Sequence, residues 1–159
     1  MSWQQVGEMP CSVARSLSVI GDRWTLLIVR NAFLRVRRFA DMQAQLGVPR
    51  HVLSVRLKRL VDEGVLEKVA YQRAPARYEY KLTEKGRDLY PLIQMLVAWG
   101  DKWLDAGKGA PLLYRHKACG KVFTPVVACS ECGERVTARD VLVEAGPGLQ
   151  GAPLIGAGK

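Results

Sequence analysis

The chain is poor in histidine and in acidic residues, and it has no long hydrophobic run. Two histidines among 159 residues leave few groups for acid–base catalysis near neutral pH. No Gly-x-Gly-x-x-Gly, Walker-type loop, His-Glu-x-x-His or Gly-x-Ser-x-Gly occurs, so the sequence reads as a non-enzyme. The longest apolar runs, 26–29 and 95–99, are four and five residues, against about 20 needed to cross a bilayer. The first eight residues, Met-Ser-Trp-Gln-Gln-Val-Gly-Glu, have neither a basic start nor an apolar stretch, so no secretory leader is expected and a reducing cytoplasm is the expected location. The length suits one domain, or about 100 residues plus a small appendage, and is too short for a large barrel or a two-domain cofactor enzyme.

What is present is positive charge. Fifteen Asp and Glu stand against 24 Lys and Arg, a net charge of +9. Up to Leu104 there are 17 basic and 10 acidic residues (+7), and beyond it 7 and 5 (+2). The excess belongs to the first hundred residues, where a polyanionic partner competes with a merely solvated basic surface as the explanation.

Hydrophobic spacing organises that region. A helix is expected from Pro10 to Gly21, with Val13, Leu17 and Ile20 on one face. Asp22 would cap a second, Arg23 to about Phe33, burying Trp24, Leu27, Ile28 and Ala32. A third, from about Phe39 to Leu46, would bury Phe39, Met42 and Leu46 and end on Gly47 in the left-handed region. A fourth, entered through Pro49 and ending near Gly64, carries Leu53, Leu57, Leu60 and Val61 on its inner stripe. The pattern then alternates. Val65–Tyr71 and Arg77–Leu82 read as two strands of a hairpin around Gln72–Ala76. Thr83 would cap one long helix reaching about Leu104, kinked at Pro91, with Leu89, Leu92, Ile93, Leu96, Trp99 and Trp103 at helical spacing.

Short helices, a tight Gly-Val-Pro entry into the fourth and a following hairpin make a winged helix-turn-helix, an arrangement in which one helix enters the major groove. The outward face of the fourth helix carries His51, Val55, Lys58, Arg59 and Asp62, with Arg50 and Ser54 near its N-terminal half. His51, Ser54 and Lys58 are the expected base readers. Arg50, Arg56 and Arg59, with Arg73 and Arg77 at the hairpin tip, are the expected phosphate or wing contacts. A winged helix that binds protein instead of DNA is the alternative, distinguished by the steep salt dependence of DNA binding.

The residues Gly21-Asp-Arg-Trp24-Thr-Leu-Leu-Ile28, Arg38-Phe39, Leu53-Ser-Val-Arg-Leu-Lys-Arg-Leu60, Tyr78-Glu-Tyr80 and Leu82-Thr-Glu-Lys-Gly86 resemble the HxlR family of bacterial winged-helix transcription regulators, over roughly Cys11 to Leu104. The resemblance implies a cytoplasmic homodimer on an inverted-repeat operator. It implies that the first helix and the long helix after the wing form the dimer interface, here through Val13, Leu17, Leu92, Leu96, Trp99 and Trp103. Some members of that family sense oxidants or electrophiles through a thiol in the region of Cys11, which here stands near a helix N-terminus that favours thiolate; a half-buried packing cysteine is the alternative. A small-molecule effector would be a further partner.

Residues 107–112 read as a linker after a first domain at 1–106. From 113 to 144, His-x-x-Cys-Gly (His116, Cys119) and Cys-x-x-Cys-Gly (Cys129, Cys132) repeat one unit of two potential ligands followed by glycine. Three thiolates and an imidazole suit tetrahedral zinc, so a small β-rich, zinc-ribbon-like module is expected. A metal-free ribbon with free thiols and a Cys129/Cys132 redox pair remain alternatives. The Gly- and Pro-rich residues 145–159 read as a loosely held tail. The expected fold class is therefore α+β.

Overall fold

The computed structural model describes residues 3–149; the end of the tail expected at 145–159 lies outside the described residues. Among the described residues seven helices and one hairpin follow in the order α1 (Trp3–Gly7), α2 (Ser12–Ile20), α3 (Arg23–Phe33), α4 (Phe39–Leu46), α5 (Arg50–Asp62), β1 (Leu66–Gln72), β2 (Arg77–Leu82), α6 (Glu84–Arg87) and α7 (Tyr90–Trp103). The chain divides into two compact units that part between Ile93 and Gln94, inside α7. No helix among the described residues is long and apolar enough to cross a membrane.

In the first unit the core is built where the helical period places aliphatic side chains. Ile28 and Val29 of α3, Met42 of α4, Leu53, Leu57 and Leu60 of α5 and Leu66 of β1 are all buried. Gly47 ends α4 at φ 62°, a conformation glycine adopts without strain, and turns the chain into α5. The hairpin is antiparallel, with Leu66 opposite Leu82 and Ala70 opposite Tyr78, and a bulge follows Ala70. Arg38 bridges to Glu79, and the Tyr80 N–H donates to the Arg37 carbonyl at 2.8 Å, so the α3–α4 connection lies along the outer edge of β2. The Glu79 carboxyl is held below its usual range, first by a hydrogen bond from Lys81 and then by the charges of Lys81, Arg37 and Arg38.

Two of the motifs that carry the resemblance, Gly21-Asp-Arg-Trp24 and Leu82-Thr-Glu-Lys-Gly86, have structural jobs. The Asp22 carboxylate accepts the Trp24 N–H at 2.9 Å, capping α3, and also pairs with Arg56 of α5 at 2.8 Å. The Thr83 hydroxyl donates to the Gly64 carbonyl at 2.6 Å and accepts the Gly86 N–H at 3.1 Å, while Lys85 donates to the Glu63 carbonyl at 2.7 Å. A Cβ on Gly86 would collide with the Val65 carbonyl. Both motifs thus fasten their helices to α5 or its C-terminal turn. Asp22→Ala should remove a cap and a half-exposed ion pair together, about 1–2 kcal/mol of stability. Thermal unfolding by circular dichroism should show a melting temperature lower by about 4–8 °C per kcal/mol; an unchanged temperature would mean that Asp22 does not hold α3 and α5 together.

Four expectations are corrected. The helix expected to run unbroken from Thr83 to Leu104 is two, α6 and α7, separated at Asp88 and Leu89. Pro91 has no N–H and its ring would clash with the carbonyl four residues back, so it is accommodated in the first turn of a new helix instead of as a kink within one. The buried face of α3 is Thr25, Ile28, Val29, Asn31 and Ala32, and Leu27 is exposed. Pro10 precedes the Cys11 cap of α2 and is not itself helical. Beyond Leu82 the described residues form no strand, only single bridges Arg115–Val122 and Ala128–Arg135; Pro125 offers no N–H to a ladder and the surrounding valines find little to bury them. The sequence also gave no warning of α1.

Candidate nucleic-acid interface

Helix α5 rests its Leu53/Leu57/Leu60 stripe on the core, and the 3.6-residue period therefore turns Arg50, His51, Ser54, Val55 and Lys58 outward, all exposed. Two of the expected DNA contacts are differently employed. Arg56 is half-buried in its ion pair with Asp22, and Arg59 donates to the Ser18 carbonyl at the end of α2. Both guanidinium groups tie α5 to the α2–α3 corner. Lys58 pairs with Asp62 one turn on at 2.5 Å, with both side chains largely in solvent, so water screens the pair and it is free to open toward another partner.

Beside the N-terminal end of α5 lies a cleft of about 550 Å³. It is lined by Arg38, Phe39, Asp41 and Arg50, and by Lys68, Tyr71, Arg77 and Tyr78 of the hairpin. Three of its four cations lie over aromatic faces: Arg50 is 4.9 Å from the Phe39 ring centre, Arg38 4.5 Å from Tyr71 and Lys68 4.1 Å from Tyr78. Such stacking holds long basic side chains in place while leaving their N–H groups available for phosphate oxygens. Arg38 and Tyr78 stand in motifs that carry the family resemblance but were not read as contacts, and Lys68 and Tyr71 were not singled out, because the cleft gathers these residues from three separate stretches. Arg73 is exposed at the hairpin turn, and with Arg77 it extends the basic surface away from α5.

A family profile described as HxlR-like helix-turn-helix matches residues 19–108. The chain belongs to the HxlR-like helix-turn-helix family. It is similar to the uncharacterised HTH-type transcriptional regulator Rv3095 of Mycobacterium tuberculosis (strain ATCC 25618 / H37Rv), with 48% identity over 139 residues, 87% of this chain and 88% of that protein. Among solved structures it is similar to PA1607, described as a candidate transcription factor, with TM-score 0.76 and 35% identity over 86% of this chain and 95% of that one. It is also similar to the redox regulator HypR in its oxidised form, with TM-score 0.53 and 28% identity over 58% and 96% of the two chains. As an HxlR-like protein it is a DNA-binding transcriptional regulator, and the relatives named above are described as transcriptional regulators.

The residues that the resemblance placed at a dimer interface are all exposed in the single chain: Val13 and Leu17 on α2, and Leu92, Leu96, Trp99 and Trp103 on α7, the two tryptophans 57% and 63% accessible. They are therefore not core. Cys11 is exposed and caps α2 through its backbone alone. In the second unit His116 Nδ1 and Cys119 Sγ stand 3.4 Å apart. Cys129 accepts the backbone N–H of Cys132 and then of Glu131, which lowers its thiol below the usual range. Among the described residues no three His, Cys, Asp or Glu side chains are gathered into one metal-holding group.

Proposed function

We propose that this HxlR-like regulator acts as a homodimer that sets α5 of each protomer into neighbouring major grooves of an inverted-repeat operator. The observation that carries the reading is the outward face of α5, basic and hydrogen-bonding, continuous with the basic cleft at its N-terminal end. His51, Ser54 and Lys58 read base edges, while Arg50, Arg73 and Arg77 with Arg38 and Lys68 hold phosphates. Arg56 and Arg59 act indirectly, by fixing the angle at which α5 leaves the domain. The exposed apolar stripe on α7, with Val13 and Leu17 of α2, supports dimerisation.

Base and phosphate roles separate experimentally. Lys58→Ala should weaken binding to the operator by about 1–3 kcal/mol while leaving random duplex nearly unaffected. Arg77→Ala should weaken both equally and reduce the salt slope by about one. Fluorescence anisotropy across a salt series reads both, and equal loss on both duplexes in Lys58→Ala would move that residue to the phosphate group.

The kinship to a redox regulator supports one further arm. Cys11 is the thiol assigned here to any response to oxidants. Peroxide or a quinone should change operator affinity in the wild type and not in Cys11→Ser; a response that survives in the variant would place sensing elsewhere.

A further inference from the structure

The second unit poses a problem of stability. Beyond Gln94 none of the described residues is buried. Val122, Phe123, Val126, Val127, Val141 and Val143 are between 36% and 76% exposed, and the region holds two isolated bridges in place of a sheet. Apolar burial on this scale does not order a segment of this size; small modules of this kind are held by disulfides or a metal. The structure shows the cysteines as free thiols.

Yet the segment is folded twice into the same shape. The His116 N–H donates to the Lys121 carbonyl at 2.9 Å, the Gly120 N–H to the His116 carbonyl at 2.8 Å and the Phe123 N–H to the Tyr114 carbonyl at 3.0 Å. Thirteen residues on, the Cys129 N–H donates to Glu134, Gly133 to Cys129 and Val136 to Val127, each at 2.9 Å. Gly120 and Gly133 occupy the same place in each turn, with φ of 68° and 75°. An alanine there would be strained, so the glycines are required by the turn itself. Each turn carries two potential donors: His116 with Cys119, and Cys129 with Cys132. The 3.4 Å between Nδ1 and Sγ in the first pair is close to the edge of a tetrahedron built on Zn–N of about 2.0 Å and Zn–S of about 2.3 Å, roughly 3.5 Å.

We propose that the two turns are the halves of one structural zinc site, His116, Cys119, Cys129 and Cys132, and that the ion supplies the cohesion the second unit lacks. Among the described residues no three of these donors are gathered in one place, so the proposal requires the ion to bring the two turns together. Binding releases three thiol protons to solvent and leaves a tetrahedral ZnS₃N centre of net charge −1. Arg115, Lys117, Lys121 and Arg135 against Glu131 and Glu134 leave the residues flanking the ligands at +2, which offsets that charge.

The test uses the full chain, purified under reducing conditions from zinc-supplemented culture and desalted. Elemental analysis should find about one zinc per chain, and cobalt substitution should give the ligand-field bands of a tetrahedral site with thiolate charge transfer. Cys119→Ser and Cys129→Ser should each lose the metal, Cys11→Ser should keep it, and His116→Cys should retain it as a four-thiolate site. Operator affinity, measured in parallel, is assigned to α5 and to dimerisation through α7 and not to residues 113–144, so loss of zinc with DNA binding intact is the expected combination. A reduced chain that takes up no zinc or cobalt, or a metal content unchanged in Cys129→Ser, would overturn the proposal; so would a Cys129–Cys132 disulfide in the native protein.

Discussion

Trp99→Glu combined with Trp103→Glu should turn the protein from a dimer into a monomer and remove most of its operator affinity. Both side chains are more than half exposed in the single chain, so the substitutions cost the fold little. In a two-fold interface each position occurs twice, and four indole rings each burying on the order of 100 Å² would contribute up to about 10 kcal/mol at about 25 cal/mol per Å². Losing even half of that raises the dimer dissociation constant more than about 1,000-fold. A monomer engages one half-site at a time and forfeits the second helix's contribution, so affinity for the intact operator should fall by about 100-fold or more. Analytical ultracentrifugation at micromolar concentration reads the first effect and anisotropy the second. A double variant that remains dimeric would place the interface away from α7.

The second large effect is expected at Ser54, which is exposed on the outward face of α5 between Arg50 and Lys58. Ser54→Glu adds a negative charge to the surface assigned to the duplex, where like-charge juxtaposition costs several kcal/mol. Operator binding should drop by about 100-fold or more, and random-duplex binding should fall with it. Folding should be unharmed, because a glutamate at 54 stands one turn before Lys58 in the favourable orientation for an i, i+4 pair. Unchanged melting temperature with lost binding is the signature of a surface role. Retained binding would exclude α5 as the recognition helix.

Much of this architecture was legible in the chain, and the reason differs by element. The core of α4 and α5 follows from one period: Met42, Leu53, Leu57 and Leu60 recur at helical spacing, Gly47 stops the one helix and Pro49 opens the next, and all four aliphatics are buried. The hairpin followed from alternation and a turn-rich tip. Local pattern reads local structure well. It was silent where position depends on residues far apart. The pairing of Arg56 with Asp22 spans 34 positions, and nothing around Arg56 distinguishes a residue bound to a helix cap from one that reaches for phosphate. The cleft lined by Arg38, Lys68 and Tyr78 depends on how the hairpin leans against α4. In α3 the period was right, with Ile28 and Ala32 buried as expected, but the edge of the stripe was not, because Leu27 and Val29 are equally apolar and only the packing on α5 and β2 chooses between them. At Pro91 two rules competed, kink or new start, and the turn at Asp88–Leu89 settled it for a new start.

If a dimer reads DNA through two copies of α5, footprinting of the purified chain on the DNA flanking its own gene should show two protected segments related by dyad symmetry, their centres about one helical turn of 10 base pairs or a multiple apart, with affinity falling steeply as salt is raised. Protection that is absent at every salt concentration, or confined to a single half-site bound by a monomer, would contradict it.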